Sequence, residues 1–285
     1  MRTYHDCTAC IVKQTIACVR KVTDDPSIQD QLLRETFSML SNFDYSEPPA
    51  VMASRVHARL QELTGESNPY RAEKARSNWF ALKLYPWLEA RVEEAENQAE
   101  MALRYAIAGN IIDLGANTNL RYKEIHEALQ HAASAPIHAD TQAFFEEAAR
   151  AKRILYLIDN AGEIVFDKLL IKALGAHKVT AAVRGHPILN DATMIDALAT
   201  GLTKEVKVID NGSRAPGTLL SSCSEHFRRT FEEADMVVAK GQGNYESLNQ
   251  VNKSIFFIMK VKCEVVAKDL GLEVGDIVLH NKTEI

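Results

Sequence analysis

Between about residues 7 and 150, apolar residues recur at three- and four-residue spacing, in CIVKQTIACV, QDQLLRETFSML, VMASRVHARLQEL and AEMALRYAIAGNIIDL. That period puts side chains on one face of a helix. Asp24-Asp25-Pro26, Ser46-Glu47-Pro48-Pro49, Ser67-Asn68-Pro69-Tyr70 and Tyr85-Pro86 interrupt the pattern, and each combination ends helices or opens turns. The stretch predicts several helices with short connections, an all-helical domain over residues 1–150.

From about residue 151 the period shortens. RILYLID, KVTAAVRG, EVKVID, DMVVAKG and SIFFIMK are short β-branched runs. EIVFDKLLIKAL, DATMIDALAT and CSEHFRRTFEEA lie between them and are long enough for crossover helices. Repeated β-α-β units give a mainly parallel sheet with helices on both faces, an α/β domain over residues 151–285. In such sheets the ligand sits beyond the carboxyl ends of the strands. Three of those ends are polar: Asp159-Asn160-Ala161-Gly162-Glu163, the stretch Arg184 to Asp191, and Lys240-Gly241-Gln242-Gly243-Asn244.

Composition narrows the function classes. The 285 residues carry a net charge of -5, and 46% are hydrophobic. Residues 1–150 hold 16 Lys+Arg against 21 Asp+Glu, and residues 151–285 hold 17 against 17. Neither half has the clustered cations of a nucleic-acid or anionic-membrane binder. No apolar stretch reaches a bilayer span and the start lacks a signal-peptide centre, so a cytoplasmic location is expected. Five cysteines, an odd number, fit reduced thiols better than a disulfide framework.

Asp159, Asn160 and Asp191 supply two carboxylates and an amide oxygen at neighbouring strand ends. Hard oxygen donors of this kind suit Mg²⁺ or Mn²⁺ and also accept Co²⁺ or Ni²⁺. Each residue is equally at home capping a helix, and their convergence favours the metal site. Lys240 with Gly241 and Gly243 resembles a phosphate cradle, in a spacing that is not a Walker A loop. Cys7 and Cys10 stand three apart at a helix start with Asp6 as expected cap, where thiolates would be stabilised or the thiols simply buried. Asn110, Asp113 and the Lys262-Cys263 pair interrupt apolar runs, as residues facing a polar pocket would.

Cys7-Thr8-Ala9-Cys10, Asn68-Pro69-Tyr70 with Lys74, AGNIID at 108–113, DNAGE at 159–163, RGHPILNDAT at 184–193, AKGQGNYE at 239–246 and Lys262-Cys263 occur in one order along nearly the whole chain. In these motifs it resembles the damage-control phosphatases, metal-dependent enzymes once known only as a domain of unknown function. The Cys7/Cys10 pair resembles the mark of their first subfamily. The resemblance implies a Rossmann-like domain with a helical domain over its active edge. It also implies removal of phosphate from damaged or unwanted sugar phosphates and related metabolites, with Mn²⁺, Co²⁺ or Ni²⁺ often preferred to Mg²⁺. By the same resemblance Asp159, Asn160 and Asp191 are metal ligands and Lys240 meets the phosphate. Asn110, Asp113 and Glu163 fall in or beside the pocket, with Gly241 and Asn244 in the Lys240 loop.

Rival readings fare less well. A haloacid-dehalogenase-type phosphatase needs an Asp at position 161, which is Ala. A methyltransferase would show a Gly-rich turn after the first strand, where DNAGE stands. An inert metabolite-binding or zinc-stabilised protein would keep the fold without phosphoryl-transfer geometry. The attacking group, water or Asp159, stays open.

Overall fold

The computed structural model describes residues 1–111, 127, 129–131, 133–138 and 141–282. Helices α1 (His5–Val22), α2 (Pro26–Ser41), α3 (Pro49–Thr64), α4 (Arg71–Glu94), α5 (Gln98–Ile111) and α6 (Thr141–Arg150) precede the sheet. There follow β1 (Ile154–Leu157), α7 (Glu163–Leu174), β2 (Val179–Val183), α8 (Met194–Ala199), β3 (Lys207–Asp210) and α9 (Glu225–Glu233). The chain ends in β4 (Met236–Lys240), α10 (Gln242–Leu248), β5 (Ile255–Lys260), α11 (Glu264–Leu270) and β6 (Ile277–Lys282). Among the described residues no helix is long and apolar enough to cross a membrane.

The sheet runs in the order β3-β2-β1-β4-β5-β6. The first five strands are parallel, and β6 returns antiparallel on the β5 edge. The chain proceeds outward from β1 through β2 to β3, then restarts at β4 on the other side of β1. The crevice of an open α/β sheet lies at such a reversal, here between the carboxyl ends of β1 and β4.

Alternation along the strands sends side chains to two cores. Ile154, Tyr156 and Ile158 face α4, α5 and α7, meeting Leu84, Leu88, Leu103, Ile107 and Phe166. Leu155 and Leu157 face the other layer, with Phe227, Phe231, Tyr245, Leu248 and Val266. Helices α1 to α3 pack mainly on one another through two small clusters, one around Ile11, Leu40, Phe43 and Met52 and one around Cys18, Leu32 and Leu60. The main core thus crosses residue 150 without a break, since α4 and α5 cover one face of the sheet.

Two local expectations change. Tyr85-Pro86 does not end a helix: α4 continues through Pro86 to Glu94. Proline removes one backbone hydrogen bond, while Leu84 and Leu88 on either side of it are fully buried against the sheet layer and hold the helix together. Asp6 is not the cap of α1, which starts at His5 with Tyr4 in the cap position; Asp6 lies in the first turn.

Candidate active site

The strand ends build one floor. Asp159 and Asn160 follow β1, and backbone bonds tie them to the loop after β2: Ala161 N–H donates to Asn190 O (2.9 Å) and Ala192 N–H to Asp159 O (2.8 Å). Asn160 and Asp191 form an isolated antiparallel bridge between the two loops. Leu189 takes a left-handed φ of 47° beside them, a conformation that costs a branched side chain about 1–3 kcal/mol and gathers at functional sites. None of the three polar residues acts as a helix cap. Gly162 occupies that position for α7, while Thr193, in a capping box with Asp196, serves α8.

Donors fix how these groups point. Asn160 Nδ2 donates to Asp159 Oδ2 (2.6 Å) and Glu163 Oε2 (3.1 Å). With two carboxylates holding its nitrogen, the amide oxygen turns the other way. Arg184, which directly follows β2 and is 1% exposed, donates from Nε to Asp191 Oδ2 at 2.6 Å. Its Nη2 lies 3.8 Å from Asp159 Oδ1. Gly241, at φ 81°, packs so tightly on Asp159 that a Cβ there would collide with the carboxylate. From α4, Asn78 Oδ1 accepts from Gly162 N–H (2.7 Å), while Asn78 Nδ2 and Lys74 Nζ reach Asp196 (2.9 and 2.7 Å).

Lys240 points beneath this floor. Its ammonium is fully buried and donates to Glu163 Oε1 (2.6 Å), Asp167 Oδ1 (2.5 Å) and the carbonyl of Ala106 (2.9 Å). Asn244 is also fully buried, its amide donating to Lys240 O and accepting from Thr218 Oγ1. Lys240, Glu163, Gly241 and Asn244 therefore support the floor rather than line the cavity above it. Asp113 lies outside the described residues, and of Asn110 only the backbone, in α5, is described.

That cavity has a volume of about 690 Å³. Its floor holds Asp159, Asn160 and Asp191, and one side carries Lys262 and Cys263. Helix α1 contributes Cys7 and Cys10 to the lining, and α3 an apolar edge through Pro49, Ala50 and Ala53. Burial pushes the Cys7 thiol up and outweighs the backbone hydrogen bond at Tyr4 that favours the thiolate, with nearby Glu246, Cys263 and Cys10 adding to the rise.

The electrostatics call for a cation. Asp159 is pushed up to about 7, by burial first and then by Glu163 and Asp191, against the pull of Lys262 and Arg184. Burial also raises Asp191, opposed by Arg184, and lifts Asp167 to about 6, opposed by Lys240. Burial alone would lower Lys240, but Asp167 and Glu163 outweigh it and the ammonium stays charged. Asp159, Asp191, Glu163 and Asp167 are four buried carboxylates facing two buried cations, Arg184 and Lys240. Counted as ionised, these carboxylates outnumber the cations beside them, although Lys74, paired with Asp196, also acts on Asp191; without a metal the raised Asp159 relieves the excess by holding a proton, which a bound cation would replace. Among the described residues no three His, Cys, Asp or Glu side chains meet around a metal position. The convergent donors are two carboxylates and one amide, an oxygen set that fits a hard ion completed by water.

Residues that sequence reasoning did not single out carry much of this geometry: Arg184, Asp167, Asn78 and Asp196. Asp167 had a signal, since it stands four residues after Glu163 in a mainly apolar helix and so shares its face. Arg184 stood at a strand end but was read only as part of a motif.

The model of the damage-control phosphatase ARMT1-like domain matches residues 3–278. An archaeal damage-control phosphatase from Archaeoglobus fulgidus is 35% identical over 95% of this chain and 96% of its own. Another, from Pyrococcus horikoshii, is 32% identical over the whole of both chains. An uncharacterised protein of Methanocaldococcus jannaschii is 35% identical over 96% of this chain and 93% of its own. The crystal structure of a DUF89 family protein from Pyrococcus horikoshii superposes with a TM-score of 0.91 at 31% identity, covering 99% of each chain. These relatives support a phosphatase role. Matched along nearly its full length in sequence and in fold, the chain belongs to the ARMT1-like damage-control phosphatase family.

Proposed function

We propose that the protein is a metal-dependent hydrolase of small phosphomonoesters, damaged or excess sugar phosphates and related metabolites among them. In this reading Asp159, Asn160 and Asp191 hold the ion. The observation that carries the reading is the convergence of Asp159, Asn160 and Asp191 on the floor of an open cavity, where buried carboxylates outnumber the cations paired with them. An oxygen donor set accepts Mn²⁺, Co²⁺, Ni²⁺ or Mg²⁺. When bound, such an ion supplies Lewis acidity and charge to the phosphoryl oxygens.

The chain's own residues supply the rest. Lys262 is an exposed cation on the cavity wall, close enough to Asp159 to draw its carboxyl pKa down. In this scheme it meets a phosphoryl oxygen, while Lys240, held by Glu163 and Asp167, organises the support below. Asp159 is hemmed in by Asn160, Gly241 and Arg184, which suits a ligand better than a nucleophile needing room for in-line attack. Water from the open cavity is the attacking group in this scheme. A cavity near 690 Å³ fits a metabolite-sized ligand, not a polymer.

The test is phosphate release from a panel of phosphomonoesters by the purified protein, with chelator and with each divalent metal, beside Asp159→Asn. Activity should vanish with EDTA and return best with Mn²⁺, Co²⁺ or Ni²⁺. Asp159→Asn should fold, lose Mn²⁺ affinity and drop kcat by roughly a hundredfold or more. Full turnover in exhaustively metal-free protein would sink the metal-dependent scheme.

A further inference from the structure

Arg184 is a buried cation that the phosphatase scheme above sets against Asp159 without giving it a part in the chemistry. It lies at the carboxyl end of β2, 1% exposed, with no place in the cavity lining. Its backbone is fixed by Arg184 N–H donating to Ala192 O (2.9 Å) and by a bridge to Thr193. The guanidinium spans the loops after β1 and β2, donating from Nε to Asp191 Oδ2 (2.6 Å) and bringing Nη2 to 3.8 Å from Asp159 Oδ1. Among the described residues that Nη2 has no hydrogen-bond partner. A buried N–H without an acceptor is costly, so its persistence beside a carboxylate calls for a reason.

We propose that Arg184 is the positioning residue of the cation site, a rigid fork that sets Asp159 and Asp191 at one spacing and orientation before the ion arrives. This inference rests on the reading of Asp159, Asn160 and Asp191 as cation ligands. By engaging Asp191 through Oδ2, the fork selects which carboxylate oxygen is left toward the cavity. Its charge offsets the repulsion between the two carboxylates, so the site is preformed in the metal-free protein. A point charge cannot do both, because an ammonium lacks the planar donor geometry.

The experiment compares wild type, Arg184→Lys and Arg184→Gln by Mn²⁺ titration calorimetry, melting of the metal-free proteins, and steady-state kinetics across Mn²⁺ concentrations. Arg184→Lys should weaken Mn²⁺ binding by about 10- to 100-fold, the usual effect of losing a group that orients metal ligands. Its metal-free melting midpoint should stay within a few degrees of wild type. Saturating Mn²⁺ should restore most of kcat while KM for the phosphomonoester is unchanged. Undiminished Mn²⁺ affinity in a folded Arg184→Lys would overturn the positioning role. Wild-type protein that takes up no Mn²⁺ would sink the cation-site reading itself.

A second arm needs no variant. In metal-free wild type, nitrogen-15 NMR should find the Arg184 guanidinium hindered in rotation, with signals that shift on adding diamagnetic Mg²⁺. A freely rotating guanidinium indifferent to Mg²⁺ would refute the proposal even if neither substitution folds.

Discussion

Lys240→Met separates a phosphate ligand from a buried keystone. The ammonium it removes is fully buried and donates to Glu163, Asp167 and Ala106 O at 2.6, 2.5 and 2.9 Å. Without it, two carboxylates are left facing each other where water does not reach, and Asp167 Oδ2 already lacks a partner among the described residues. Breaking a buried ion pair from one side costs about 3–5 kcal/mol. At roughly 2–4 °C per kcal/mol for a chain of this size, the melting midpoint should fall by about 6–20 °C. Adding Asp167→Asn should recover part of that loss, since one of the stranded charges disappears and the two sites are coupled. The assay is calorimetric melting of metal-free wild type, Lys240→Met and the double variant, with KM measured at saturating Mn²⁺. A Lys240→Met protein that melts within a degree or two of wild type but binds substrate poorly would show that the lysine serves the phosphate and that the reasoning from burial is wrong.

Two further outcomes follow from the same geometry. Lys262→Met should raise KM and lower kcat with little change in melting midpoint, because the residue is exposed on the cavity wall and in the proposed scheme meets phosphate in ground and transition states alike; unaltered kcat/KM on the best substrate would remove it from the site. Burial first, then Glu163 and Asp191, raises Asp159 from 3.8 to about 7. The metal-free folded protein therefore binds a proton in that window that the unfolded chain does not, so this group's contribution to stability declines as pH rises through it. A divalent ion competes with that proton. Mn²⁺ affinity, measured by calorimetry between about pH 5 and pH 8, should climb and level off above about 7, and equal affinity at both ends would contradict the assignment.

The five parallel strands were legible because each is a short β-branched run bounded by polar turns, and all five formed. The edge strand β6, Ile277–Lys282, went unread, since only its first half is apolar and buried. Asp159, Asn160 and Asp191 were visible as polar residues at strand ends, a position that topology makes informative. Whether a lysine at a strand end points up into the crevice or down under it is another matter. Lys240 is the last residue of β4 and Asp159 lies just beyond β1, yet Glu163 and Asp167, one helical turn apart on α7, capture the lysine's ammonium. That choice depends on where α7 crosses the sheet, which no local pattern encodes. The sharing of α4 and α5 with the sheet was hidden for a similar reason: an amphipathic face announces that it will be covered, not by what.

That shared core has a temporal side. Ribosomes deliver the chain from its amino end, and α1 to α3 find their apolar partners among themselves within the first 64 residues. Helices α4 and α5 do not. Leu84 and Leu88 join a core that includes Ile154, Val238 and Ile258, and at roughly 5–20 residues per second the last of these is synthesised about 9–35 s after Leu84. Throughout that interval a nascent chain presents a finished three-helix bundle followed by greasy helices with nothing to rest on. Such an intermediate is a natural client for a holding chaperone, and the parallel sheet, whose strands are joined only through long crossovers, sets when it is released.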